Sequence, residues 1–221
     1  MGSIRENLSS IQSTLPSEVC LVAVSKTKPI SDLQEAYDAG QREFGENKIQ
    51  EMTEKWEQLP KDIHWHMIGH VQTNKIKYMA PFVYLIHGCD REKVVKVVNK
   101  EAAKVNRVID VLLQVHIAEE DSKFGFDEAE LDELISSSRL CDYPNVRVRG
   151  LMGMATFTDN KDQIAREFKA LKALFDKYAP DFGPEFNTLS MGMSGDYQLA
   201  VECGSTMVRV GSSIFGARNY Q

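Results

Sequence analysis

The chain has 221 residues, 43% apolar and 26% charged, the ordinary balance of a globular protein able to bury a sizeable core. Its net charge of -6, with no basic block or stripe, gives no support for binding DNA or RNA. No apolar run approaches the roughly 18 residues of a membrane-spanning helix, and the polar N-terminus lacks the core of a secretory signal.

A helix is predicted over residues 4–14, ahead of an apolar β-type run at 20–25. Further strand-like runs fall at 43–45, 63–68, 82–87, 109–117, 146–152, 187–191 and 207–210, with helical patterns between them. Ser31 with Gln34, and Asp127 with Glu130, read as capping boxes. The strongest helix signal covers 161–178, where Ile164, Phe168, Leu171, Phe175 and Tyr178 recur in steps of four and three. A short helix is expected over 197–203. Eight strands alternating with helices predict a parallel sheet covered on its outer face. Closure into a (β/α)8 barrel fits the strand count better than a doubly wound sheet, and polar residues follow many different strands rather than gathering at one crevice. With no Gly/Ser-rich linker and no internal repeat, residues 1–221 read as one domain. Cys20, Cys89, Cys141 and Cys203 are widely spaced, with no CxxC or zinc pattern, so a cytoplasmic protein with reduced thiols is expected.

Lys26 stands at the polar end of the first strand. Side chains alternate faces along a strand, so Lys26 shares its side with Cys20, Val22 and Val24. If that side lines the barrel interior, the lysine emerges at the C-terminal mouth, where a desolvated amine deprotonates readily and can attack an aldehyde. Lys28 has the same parity, but Pro29 places it in a turn, and Lys26 is preferred. Gly192, Met193, Ser194 and Gly195 follow the seventh strand, and Gly211, Ser212 and Ser213 follow the eighth. Barrels commonly bind phosphate in these two loops, through backbone N–H groups and hydroxyls. Arg209 interrupts an apolar strand and must meet either an internal partner or a ligand. Met152 and Met154 are expected to pack, with a cofactor ring as one candidate surface. His64, His66 and His70 lack a convincing carboxylate or thiol partner, and a metal site is not expected.

Taken together, the stretches Ala23-Val24-Ser25-Lys26-Thr27-Lys28-Pro29, Phe44-Gly45-Glu46-Asn47, His66-Met67-Ile68-Gly69, Leu189-Ser190-Met191-Gly192-Met193-Ser194 and Arg209-Val210-Gly211-Ser212-Ser213 resemble the pyridoxal phosphate homeostasis proteins. This family is also described as YggS-like or proline-synthase-co-transcribed, and the resemblance spans essentially the whole chain. It implies one (β/α)8 TIM barrel of the alanine racemase N-terminal type, with an extra N-terminal helix and pyridoxal 5'-phosphate (PLP) at its mouth. The cofactor lysine maps onto Lys26, the phosphate site onto Ser194, Gly211 and Ser212, and the arginine beneath the pyridine nitrogen onto Arg209. Asn47, Met152 and the segment from His66 through His70 to Lys75 are expected to line or border the mouth.

The resemblance further implies a carrier that holds the cofactor as a Lys26 aldimine, serves vitamin B6 homeostasis and supplies apo PLP-dependent enzymes, without robust catalysis. An arginine at the ring nitrogen discourages ring protonation and weakens the electron sink. The tyrosine-bearing second domain of racemases is not expected after residues 216–221. A weak amino-acid racemase is the alternative, a cofactor-free Schiff-base aldolase a more distant one, and a cofactor-sensing interaction protein a third. A monomer is expected, with no nucleic-acid or membrane partner.

Overall fold

A computed structural model describes residues 2–119 and 124–216. Eight parallel strands form a closed barrel in sequence order, β1 Cys20–Val24, β2 Glu43–Glu46, β3 His64–Met67, β4 Leu85–Cys89, β5 Ile109–Gln114, β6 Val146–Met152, β7 Thr188–Met193 and β8 Met207–Val210. The ring is sealed by β1 against β8, with Val22 opposite Arg209 and Ala23 opposite Val210. A closed ring leaves no strand edge exposed.

Nine α-helices accompany the strands, α1 Ile4–Gln12, α2 Ile30–Asp38, α3 Ile49–Gln58, α4 Ile76–Met79, α5 Glu92–Lys104, α6 Glu128–Ser136, α7 Lys161–Phe182, α8 Tyr197–Glu202 and α9 Ser212–Phe215 among the described residues. Ser3 caps α1 and Asp127 caps α6, each in a reciprocal box with the glutamate three residues on. The box expected at Ser31 does not form. Pro29, at φ -69° and ψ 160°, leads directly into α2, so Ser31 lies one residue inside the helix and its hydroxyl turns to Asp32. Helix α7 runs a turn past Tyr178 and carries Pro180 near its end.

Two apolar layers follow from strand parity. Leu21, Ala23, Phe44, Trp65 and Ile86 face outward into the large core beneath the helices. Val22, Leu85, Leu112, Met152 and Met207 face inward and form a small plug inside the barrel, joined by Cys20 and Met154. The even-numbered side of β1 therefore faces inward, and the path it takes beyond Val24 leads to the C-terminal mouth.

Candidate functional site

A cavity of about 470 Å³ opens at that mouth. Lys26, Lys28 and Asn47 line it from the first two strand ends, Met154 to Asp159 from the loop after β6, and Met193 to Asp196 with Arg209, Gly211 and Ser212 from the last two.

Lys26 sits on a tightly held turn. Thr27 adopts φ +63°, a left-handed conformation that costs a β-branched residue roughly 1–3 kcal/mol. A buried cluster compensates. Lys55 of α3 donates to the Ser25 carbonyl (2.8 Å), to Glu46 Oε1 (2.7 Å) and to Glu51 Oε1 (2.7 Å). Ser25 Oγ donates to Glu46 Oε1 at 2.6 Å, and the Thr27 N–H to Glu51 Oε1 at 2.6 Å. Both backbone neighbours of Lys26 are thus tied to one set of charges. Burial raises the Glu46 pKa to about 7, outweighing Lys55 and Ser25, and its second oxygen has no hydrogen-bond partner among the described residues. The Lys28 amine also reaches the carbonyls of Phe215 (2.8 Å) and Gly216 (3.2 Å) at the end of α9. Lys26 and Lys28 both line the cavity, but these bonds tie Lys28 to the loop after β8.

The loops after β7 and β8 meet across the cavity. The Gly211 N–H donates to Ser194 Oγ at 3.1 Å. Gly192 turns the chain at φ +99°, and a Cβ there would lie 2.6 Å from the Ala200 Cβ, so only glycine lets α8 pack this close to β7. Asp196 Oδ1 accepts the Met193 N–H at 2.5 Å and fixes the turn. Beyond Gly211 the first N–H groups of α9 lack intrahelical acceptors, as at every helix start.

Arg209 rises from β8 into the cavity wall while remaining 3% exposed. Its Nη1 donates to Ser190 Oγ at 2.6 Å and its Nη2 to the Gly153 carbonyl at 3.2 Å. Burial lowers its pKa to about 10, with Asp196 acting in the opposite direction, so it stays protonated at neutral pH.

Lys26, Asn47, Ser194, Arg209, Gly211 and Ser212 therefore share one cavity. Asn47 is positioned by the β3 turn, since Gly69 passes so close that a Cβ would fall 2.4 Å from the Asn47 carbonyl oxygen. Met152 departs from expectation. It lies fully buried in the interior plug, and Met154, two residues further along the same side, reaches the cavity instead. Of the 66–75 segment, Ile68 lines the cavity, while His66, His70 and Lys75 are absent from its lining. His66 is buried inside the barrel, bonded to Glu43 and His87, His70 pairs with Asp90 against Phe124, and Lys75 lies near the Tyr78 ring. No group of three or more metal-ligating side chains occurs among the described residues. Glu51 and Lys55 are neighbours by their i,i+4 spacing on α3, but Glu46 of β2 and the Ser25 carbonyl of β1 join them only when α3 packs back on the barrel.

Residues 1–219 match the family of the alanine racemase N-terminal domain. The chain belongs to this family. Within it, the pyridoxal phosphate homeostasis protein of Vibrio alginolyticus is 41% identical over the full length of both chains. PipY of Synechococcus elongatus PCC7942, solved without PLP, superposes with TM-score 0.90 at 35% identity, covering 97% of this chain and 100% of PipY. The form with PLP bound gives 0.88 at 34%. The alanine racemase of Bartonella henselae shares the fold alone, at 17% identity and TM-score 0.74, and this chain covers 58% of it. The four cysteines are free thiols, and no described helix is long and apolar enough to cross a membrane.

Proposed function

We propose that this protein binds PLP at the barrel mouth and takes part in intracellular vitamin B6 homeostasis as a cofactor carrier. The observation that carries the reading is a single cavity uniting the Lys26 amine, the Ser194 and Gly211–Ser212 loops and the Arg209 guanidinium. Every one of these is a hydrogen-bond donor or a nucleophilic amine, a set suited to a phosphate dianion, an aldehyde and an acceptor ring nitrogen. A relative that covers nearly all of this chain has been solved with PLP bound, which supports the same assignment here.

When bound, the cofactor supplies an aldehyde that bonds reversibly to amines and a ring that can withdraw electrons. In this reading Lys26 provides the amine, and the buried cluster beneath it fixes its backbone. Ser194, with the N–H groups after β8, holds the phosphate, and Asn47 and Met154 border the ring. Arg209, permanently charged, donates to the ring nitrogen rather than protonating it, which weakens carbanion chemistry. Neither tyrosine nor histidine occurs in the cavity lining among the described residues, so the acid–base tyrosine of racemases has no counterpart there. This favours storage and delivery to apo-enzymes over racemisation. All the residues invoked come from one barrel, so a monomer suffices, and free thiols suit a cytoplasmic setting.

The test is a set of dissociation constants. PLP is expected to bind at least about a hundredfold more tightly than pyridoxal, because several charge-assisted hydrogen bonds depend on the phosphate. Borohydride is expected to fix one cofactor per chain, on Lys26. Equal binding of the two aldehydes, or fixation on Lys28 alone, would overturn the assignment. Lys26-dependent exchange of amino-acid α-protons in deuterated water would establish the racemase alternative instead.

A further inference from the structure

Behind Arg209 a row of polar side chains crosses the barrel interior. Ser190 Oγ of β7, which accepts from Arg209, lies 2.9 Å from His87 Nδ1 of β4, on the opposite wall. His87 Nε2 lies 2.9 Å from His66 Nδ1 of β3, and His66 Nε2 lies 2.6 Å from Glu43 Oε2 at the start of β2. Glu43 Oε1 in turn meets His64 Nδ1 at 2.7 Å, and His64 stacks on the half-exposed Tyr84. The row thus begins at the cofactor mouth and ends at the solvent-facing base of the barrel. Ser190, His66 and His87 are wholly buried.

The two ends dictate where every proton lies. A guanidinium only donates and a carboxylate only accepts. Because Ser190 accepts from Arg209, its own proton goes to His87 Nδ1. His87 then carries its proton on Nε2 and gives it to His66 Nδ1, which leaves the His66 proton on Nε2, facing Glu43. A charged His66 would reverse the middle of the row and leave the Ser190 hydroxyl proton without an acceptor among the described residues. Burial, with the Arg209 charge in support, holds the His87 pKa well below its ordinary value. Burial works against ionised Glu43, but the hydrogen bonds from His66 and His64 outweigh it and keep its pKa low.

We propose that Glu43, His66, His87 and Ser190 form one proton-ordered chain that positions the Arg209 guanidinium toward the cofactor ring, making Glu43 a positioning residue that acts from the far end of the barrel. A buried cation is costly unless it is paired. Asp196 favours the Arg209 charge, and the neutral row fixes the orientation of the guanidinium so that its free face stays turned to the cavity. The inference rests on the PLP reading for the identity of the ring, whereas the proton order belongs to the cofactor-free protein.

The experiment compares PLP with its carbocyclic analogue, in which carbon replaces the ring nitrogen and the phosphate and aldehyde are retained. Wild-type protein is expected to prefer PLP by about tenfold or more, the worth of one charge-assisted hydrogen bond. Ser190→Ala and His87→Phe are expected to bring the preference close to one with little change in affinity for the analogue. Glu43→Leu should do the same from the opposite end, and Glu43→Gln, which retains an acceptor for His66, should keep part of the preference. A preference unchanged in Ser190→Ala, or equal weakening of both ligands, would overturn the proposal. Nitrogen-15 NMR of wild-type apo-protein needs no variant to fold, and is expected to find both His66 and His87 neutral with the proton on Nε2. A proton on His87 Nδ1 would overturn the chain even if PLP binds. Wild-type protein that binds neither ligand would overturn the cofactor reading while leaving the NMR result to stand by itself.

Discussion

The two halves of the cavity are held by opposite means. On the β1 side, Lys26 rests on a strained turn tied to buried charges, with Glu46, Glu51 and Lys55 contributing side chains from β2 and α3. On the β7–β8 side, the loops are shaped by backbone, glycine and short polar side chains, with Ser194 and Asp196 bonding main-chain N–H groups. Under the proposed function the difference suits the task. A covalent anchor needs one amine held in one place, and buried charges resist displacement. A phosphate needs several donors converging on one point, and the main chain supplies them with little side-chain entropy to lose.

Removing the cation from the first half is the harshest test. Lys55→Met leaves two carboxylates near Ser25 and Thr27 and is expected to destabilise the protein by roughly 3–5 kcal/mol, read by urea unfolding. Fixation of the cofactor on Lys26 should slow in parallel. A loss under 1 kcal/mol would mean that the cluster does not hold the turn.

The same half should respond to pH. The Glu46 pKa is raised in the folded protein from 4.5 to about 7, so the native state binds the extra proton within that interval. Stability from this group is fully present below about pH 4.5 and is lost as pH rises through about 7, to the extent of about 3 kcal/mol. Glu46→Gln is expected to flatten that part of the stability profile. An unchanged slope would place the titration elsewhere.

The second half should respond to shape instead. Gly192→Ala forces a Cβ against Ala200 at a positive φ and is expected to cost roughly 1–3 kcal/mol, with a matching fall in PLP affinity. Ser194→Ala, the mildest change, should weaken PLP about tenfold yet shift unfolding by less than about 0.5 kcal/mol, because the backbone donors survive. A comparable loss of pyridoxal affinity in Ser194→Ala would separate this residue from the phosphate.

Much of the site was legible in the sequence, since strand parity and the loops following the last two strands point to Lys26, Ser194, Gly211, Ser212 and Arg209 without knowledge of packing. Depth was harder to read. Period-two alternation puts Met152 and Met154 on the same side, and only the end of β6 at Met152 decides which one is plug and which is lining. The histidine row was illegible for a different reason. Ser190 and His87 lie 103 positions apart, and His66 and His87 21 apart, so no local pattern joins them. The Ser31 cap failed where proline set the helix start by itself.

The seam between β1 and β8 has a consequence for how the protein is made. Lys26 follows the first strand and Arg209 sits on the last, so the ribosome must make all eight strands before the binding site can exist. Until then β1 and the last strand yet made are open edges, the kind of surface that invites mispairing. A ligand that recognises only the joined ring pulls the equilibrium toward it, by about 2.7 kcal/mol at a hundredfold excess over the dissociation constant. PLP would then act as a clasp as well as a cargo. Amide exchange along β1 and β8 should slow on loading more than along β4 and β5, and uniform slowing would deny the clasp. Under the proposed function, newly made chains would be fastened first where vitamin B6 is plentiful, so that the amount of closed barrel would follow the supply.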